Sequence, residues 1–334
     1  MNMIDAVGLT KEFQVFQRRE GVAGAFRDLW QREYKRVAAV DHIDLQVQRG
    51  EMVGYIGANG AGKSTTIKML SGILVPTSGR LIVNGFVPHR ERIDFCRRIG
   101  VVFGQRSQLW WDLAVSESFR LLSRVYQIPE ADYRRRLDRF VELLEMENFL
   151  HIPVRKLSLG QRMRCELTAA LLHHPDLLFL DEPTIGLDVL AKERIRQFLM
   201  EINGELGTTV LLTTHDLSDI EALCSRVVMI DRGRILYDGS LTRLQQEYGG
   251  GRTLKVDFDQ PVTMEELQEA FAGLPVAWET PEPRRALAAF SIQEVSPATI
   301  MGVLIARFPV VDLAVQATPI EEIVKAIYRG AVVL

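Results

Sequence analysis

The stretch Gly57-Ala58-Asn59-Gly60-Ala61-Gly62-Lys63-Ser64 limits what this chain can fold into more than any other, because of what flanks it. Residues 3 to 15 and 37 to 56 alternate apolar and polar positions and end in Gly50-Glu51-Met52-Val53-Gly54-Tyr55-Ile56, which predicts strands leading into the loop. Ser64 to Leu70 reads as the helix that leaves it. Strand, glycine turn and helix together fit G-x-x-x-x-G-K-[ST], whose backbone N–H groups close around phosphate oxygens at a helix N-terminus. Lys63 is then placed to pair with the β- and γ-phosphates, and the Ser64 hydroxyl to hold Mg²⁺. The short apolar runs Val210 to Thr214 and Val227 to Ile230, each flanked by helical segments, read as buried parallel strands. The fold class is α/β.

A second apolar run, Leu177-Leu178-Phe179-Leu180, ends in Asp181-Glu182. Two acids after a strand are commonly a solvated end, but behind a phosphate loop they suit other work. Asp181 is the candidate for the metal's water shell, and Glu182 for orienting or deprotonating an attacking water. Between loop and carboxylates lies Leu157-Ser158-Leu159-Gly160-Gln161-Arg162-Met163-Arg164, a Ser-x-Gly-Gln turn opening a basic helix. It reads as a second phosphate site, and one chain has no second nucleotide to offer it.

A formal net charge of -3 over 334 residues gives no reason to expect nucleic acid as a partner. Cys96, Cys165 and Cys224 are widely spaced and lack a metal-ligand pattern, so they read as buried free thiols of a reducing compartment. No apolar run approaches the roughly 18 residues of a membrane span, and Met-Asn-Met-Ile-Asp is not a leader. A cytosolic chain is expected, with any membrane work left to partners.

The pattern breaks at Tyr248-Gly249-Gly250-Gly251, which predicts a domain boundary between 1–245 and 252–334. The remainder reads as strand (Leu254 to Phe258), helix (Met264 to Ala272) and two strands (Val276 to Glu279, Ala286 to Ile292). Helix (Thr299 to Phe308), strand (Val311 to Val315) and helix (Ile320 to Tyr328) complete it. That order suits a small ferredoxin-like α+β domain.

Taken as an ordered set, the motifs resemble the ATP-binding subunit of an ABC transporter over residues 3 to about 245. Gly57 to Thr65 stands as Walker A, Leu157 to Gln161 as signature, Leu177 to Glu182 as Walker B, Gly186-Leu187-Asp188 as D-loop and His215 as switch histidine. The resemblance implies a P-loop ABC-type nucleotide-binding domain with an antiparallel β subdomain, a helical subdomain at about 106–170, and ATP with Mg²⁺ as cofactors. Gly57, Asn59, Gly60, Ala61, Gly62, Lys63, Ser64 and Thr65 are the expected phosphate cradle. It also implies head-to-tail dimerisation with a like cassette. Ser158, Gly160 and Gln161 would contact the partner's γ-phosphate, and Asp188 would reach the partner's Walker A or cap its own helix. His215 would hydrogen-bond the γ-phosphate as a catalytic-site residue. Gln105 is the candidate lid glutamine for metal and water, although Gly100-Val101-Val102-Phe103-Gly104-Gln105 carries one extra residue; Gln108 competes with it. Phe13 is the candidate for stacking on adenine; Phe16 competes, and either aromatic also suits a core.

Residues 17–36 depart from the family's short loop. Arg18, Arg19, Arg27, Arg32, Lys35 and Arg36 outweigh three acids for a local charge of +3. Val22, Phe26, Leu29, Trp30 and Glu33 fall at helical spacing, so an interfacial helix and an ordinary packed helix are both open. Trp110-Trp111 lies where the family receives its permease, as an exposed anchor or as core. With Thr318-Pro319-Ile320-Glu321-Glu322-Ile323, these features resemble the ATPases of ABC-2-type, daunorubicin-exporter-like exporters. The implied activity is ATP hydrolysis powering export through integral membrane permeases, from the cytoplasmic face of the membrane. Import is the alternative. A soluble ABC ATPase of ribosomes or DNA lacks support, since the chain has neither a second cassette nor a long coiled coil.

Overall fold

The computed structural model describes residues 2–16, 34–104, 106–248, 251–292, 294–317 and 320–328. They divide into two units, one ending at Asp238 and one beginning at Gly239.

The first unit opens with β1 (Asn2–Phe16), β2 (Tyr34–Gln48), β3 (Met52–Gly57), α1 (Lys63–Leu70), β4 (Ser78–Val83), α2 (Arg92–Cys96) and β5 (Ile99–Phe103). Three helices follow, α3 (Val115–Val125), α4 (Glu130–Leu143) and α5 (Leu159–Leu171). The chain then alternates through β6 (Leu177–Asp181), α6 (Val189–Leu206), β7 (Thr209–Thr213), α7 (Leu217–Leu223), β8 (Arg226–Asp231) and β9 (Arg234–Ser240).

The central sheet has the order β5-β6-β7-β3-β8-β9, and its first five strands are parallel. Such strands are covered on both faces, which explains why Leu177–Leu180 and Val227–Ile230 are apolar without alternation and wholly buried. A second sheet, β2-β1-β4, is antiparallel. Its inward side chains Met3, Ile4, Leu9, Ile43 and Leu45 share one core with Tyr55, Phe179, Leu211 and Val228 of the central sheet. Residues 34–36, which the sequence grouped with the insertion, pair in β2 opposite Gln14, Val15 and Phe16. The expected helix of the insertion falls within 17–33, outside the described residues.

Helix α5 is buried from Met163 to Leu171 apart from Arg164 and lies against β5. The approach is close: a Cβ on Gly100 would stand 2.4 Å from the Ala170 carbonyl oxygen, so only glycine fits. Cys165 and Cys224 are buried free thiols, and burial pushes the Cys224 thiol up to about 12. Cys96 is a free thiol too, but only half-buried.

The second unit contains α8 (Leu241–Tyr248), β10 (Gly251–Phe258), α9 (Met264–Ala270), β11 (Val276–Glu282), β12 (Arg285–Ser291), α10 (Pro297–Arg307), β13 (Val310–Ala317) and α11 (Ile320–Tyr328). The sheet order is β11-β12-β10-β13, antiparallel throughout, which is the ferredoxin-like arrangement. Leu254, Val256 and Phe258 of β10 pack with Leu267, Phe271, Ile300 and Leu304 of the helical layer. The unit begins ahead of the glycine run because α8 contacts α11, with Leu241, Leu244, Ile320, Ile323 and Ile327 buried. Among the described residues, no helix is long and apolar enough to cross a membrane.

Phe179 has no exposed surface at the centre of the first core. Phe179→Ala is expected to cost about 3–5 kcal/mol, read as a lower urea midpoint for the first unit.

Candidate active site

Because β3 and β6 flank β7, the turns after these three strands open at one edge of the sheet. The loop after β3 presses on its neighbours. A Cβ on Gly62, whose φ is 113°, would meet the Ala39 carbonyl oxygen at 2.5 Å, and one on Gly57 the Ile230 carbonyl oxygen at 2.6 Å. No side chain caps α1, so its first N–H groups are left for an outside acceptor. The Lys63 ammonium donates to the carbonyls of Gly57 at 2.7 Å and Ala58 at 3.1 Å. Burial pulls its pKa down, while the charges of Glu182 and Asp181 work against that.

At the end of β6, Asp181 accepts from Thr213 Oγ1 at 2.6 Å, and Ser64 Oγ stands 3.5 Å from the same carboxylate oxygen. A hydroxyl and a carboxylate converging in this way offer hard oxygen donors. Glu182 follows in the left-handed region at φ 57°, a conformation that costs a residue with a side chain and persists only where its surroundings enforce it. The enforcement is visible: its N–H donates to the Thr213 carbonyl at 3.0 Å, and its Oε1 lies 2.5 Å from His215 Nε2. Asn59, Ser64, Lys68, Asp181, Glu182 and His215 line one open cleft of about 560 Å³, with Phe103, Gly104, Arg106 and Ile185. Gly60, Ala61 and Gly62 belong to the loop that leads into α1, and Thr65 lies in that helix beside Ser64.

The other candidates lie elsewhere. Ser158 caps α5: its Oγ accepts from Gln161 N at 3.2 Å, and the Gln161 side-chain oxygen accepts from Ser158 N at 2.9 Å. Asp188 caps α6, accepting from Ala191 N at 2.8 Å. These two helix starts adjoin, since a Cβ on Gly160 would touch that of Ala191 at 3.5 Å. Phe13, 38% exposed and opposite Val37, has the Lys11 ammonium 5.4 Å from its ring centroid; Phe16 pairs with Tyr34 at 6.0 Å. Neither aromatic lines the cleft. Gln105 falls outside the described residues. Gln108 points away to α5, its side-chain amide donating to the Glu166 carbonyl at 3.1 Å.

Comparison with known proteins agrees with this architecture. A family model described as ABC transporter matches residues 40–185. The daunorubicin resistance ATP-binding protein DrrA3 of Streptomyces coeruleorubidus is 36% identical over 222 residues, covering 66% of this chain and 70% of that relative. This chain belongs to the ABC transporter ATP-binding proteins. Its family membership makes it the ATP-binding, ATPase subunit of a transporter. The methionine import ATP-binding protein MetN 2 of Enterococcus faecalis is 33% identical over 210 residues, 62% of this chain and 61% of that one. A solved structure described as the ATP binding subunit of an ABC transporter superposes with a TM-score of 0.61 at 28% identity, over 74% of this chain and 93% of that one.

Several supporting residues of this ABC subunit escaped the sequence reading. Asp219, wholly buried, accepts from Thr184 Oγ1 at 2.5 Å, Arg196 Nε at 2.7 Å and Thr214 Oγ1 at 3.3 Å. It thereby ties the turn after Glu182 to the turn carrying His215. Burial disfavours the Asp216 carboxylate, but the donors Lys192 and Ser218 outweigh it and hold the pKa at about 2. Glu166, on the signature helix, accepts from the Ser107 hydroxyl and from Gln108 N at 3.1 Å. In sequence these acids look like ordinary helix-surface charges. Only Thr184, adjoining Asp-Glu-Pro, carried a positional hint.

Burial drives the Glu166 carboxyl above the ordinary carboxylate range, against the Ser107 and Gln108 bonds that favour its ionised form. The folded chain therefore holds this proton more tightly than the unfolded one. The charge weighs against folding above the raised pKa, and that penalty is absent below the unfolded value near 4.5. Glu166→Gln cannot ionise, so its Tm relative to the wild type is expected to be more favourable at pH 7 than near pH 4.5. A difference that does not move with pH would contradict this.

Proposed function

We propose that the chain hydrolyses ATP to power export of a substrate through separate permease subunits, at the cytoplasmic face of a membrane. The observation that carries the reading is the convergence of Ser64, Asp181, Glu182 and His215 on one cleft at the start of α1, with Lys63 behind it. Lys63 and the loop N–H groups bind the phosphates; the carbonyl bonds that Lys63 makes are ones a phosphate oxygen replaces. Ser64 and Asp181 suit Mg²⁺, which takes one or two protein oxygens together with phosphates and water. The cation would supply charge neutralisation on the transferring phosphoryl group. Glu182 orients or deprotonates the attacking water, and His215, whose Nε2 lies 2.5 Å from Glu182 Oε1, reads the γ-phosphate. Gln105 is assigned to metal and water, and Phe13 to adenine.

A head-to-tail dimer accounts for the second phosphate site. Ser158, Gly160, Gln161 and Asp188 sit together, and beside them Leu159, Ile185, Val189 and Leu190 are exposed, the last two at 81% and 78%. Large apolar side chains so open to solvent suit a contact surface. Each of two ATP molecules would be shared between the cradle of one copy and the signature of the other. Trp110 and Trp111 are exposed as well, Trp111 beneath the Arg162 guanidinium at 5.6 Å, and form the anchor for the permease. Export draws support from the similarity to a daunorubicin resistance protein, and the similarity to a methionine import protein keeps import as the second reading. Transport by the complex reconstituted in vesicles, with ATP on the side bearing this subunit, separates the two by direction.

Glu182→Gln is expected to retain ATP binding, to accumulate an ATP-dependent dimer in size-exclusion chromatography and to lose at least about 10²-fold in turnover. Near-normal turnover would move the water-activating role to another group. Lys63→Ala is expected to weaken nucleotide binding itself, measured by titration calorimetry.

A further inference from the structure

The turn that follows β5 has a structural role. After Phe103 the chain turns back on itself, and Arg106 N donates to the Phe103 carbonyl at 3.1 Å in an antiparallel bridge. Gly104 N donates to the Asp181 carbonyl at 2.9 Å, pressing the turn against the end of β6. A Cβ on Gly104 would lie 2.8 Å from the Glu182 carbonyl oxygen and 3.1 Å from that of Asp181, so the approach depends on glycine. The turn brings Arg106 into the wall of the cleft, together with Asp181, Glu182 and His215.

Several arginines of the chain are held in ion pairs. Arg139 faces Glu201 and Glu205, Arg155 faces Asp112, and Arg226 faces Glu51 and Asp238. Arg106 has no ion pair or side-chain hydrogen bond among the described residues, although two carboxylates line the same cleft. The strand order β5-β6-β7-β3 puts Arg106, after β5, and Lys63, after β3, on opposite sides of Asp181 and Glu182. An unpaired guanidinium is a planar fork of donors matched to phosphate oxygens, and its charge offsets the repulsion that the two carboxylates exert on a polyphosphate.

We propose that Arg106 is a further phosphate-binding residue of this site, contacting the terminal phosphate of ATP from the side opposite Lys63. This rests on the ATPase reading above. Arg106 is exposed, so its replacement leaves the core untouched.

The test uses the full chain and compares Arg106→Ala and Arg106→Lys with the wild type. Binding of ATP and of ADP is measured by titration calorimetry with Mg²⁺ present, and ATP turnover in parallel. Loss of one charge-assisted hydrogen bond predicts that Arg106→Ala weakens ATP by about tenfold or more while leaving ADP unchanged. Arg106→Lys is expected to recover part of the preference for ATP. Equal weakening of ATP and ADP, or an unchanged ratio, overturns the proposal, because neither follows from a contact to the terminal phosphate. Wild-type turnover that disappears in Glu182→Gln while Arg106→Ala behaves as wild type would overturn this inference alone. A wild-type chain that neither binds nor hydrolyses ATP would overturn the reading beneath it.

Discussion

The site depends on the register of three parallel strands. Phe103 of β5 pairs with Asp181 of β6, and Asp181 with Thr213 of β7, so three strand ends finish on one level. Neighbouring strands lie about 4.8 Å apart, and a slip of one residue turns every side chain to the other face. Such a slip would carry Asp181 away from both Ser64 and Thr213. Asp181, half-buried at the end of the buried run Leu177–Leu180, resists it, because a shift inward would bury its charge.

Around that level, candidate site residues also hold the fold together. Ser158 and Asp188 cap α5 and α6, a role typically worth about 1 kcal/mol each, and the same polar ends face outward beside exposed apolar side chains. Asp219 binds two turns of the cleft from beneath, and Glu166 binds the segment after β5 to the signature helix. The cleft and the signature surface are therefore linked through buried carboxylates on α7 and α5. A cost is visible in the left-handed backbone of Glu182, held by its N–H bond to the Thr213 carbonyl at the end of β7 and with the His215 ring against its carboxylate.

Local pattern made much of this legible. Alternation marked β1 and β2, glycine spacing marked the phosphate loop, and apolar runs marked β6, β7 and β8. In the second unit the order of strands and helices was readable to within a few residues, because each element buries one face against a single layer. The choice between Gln105 and Gln108 was less legible. Two glutamines three residues apart in a polar loop differ only in what they touch, and Gln108 is engaged by Glu166, 58 residues away in the chain. The second unit begins at Gly239, ahead of the glycine run, and the packing of α8 on α11 joins residues about 80 apart that no local pattern displays.

The sequence by itself determined the α/β class, the glycine loop, the carboxylate pair and the ordered motifs, because each depends on residues adjacent in the chain. Tertiary structure decided which of them meet. It placed the cradle, Asp181, Glu182 and His215 in one cleft and set Ser158, Gly160, Gln161 and Asp188 on a separate surface. It also let Gly104 seat the turn after β5 against the end of β6, which brings Arg106 to the wall of the cleft. That contact arises where β5 and β6 pair, between segments about 80 residues apart, and steric fit over such a distance leaves no periodicity or spacing for a sequence to display.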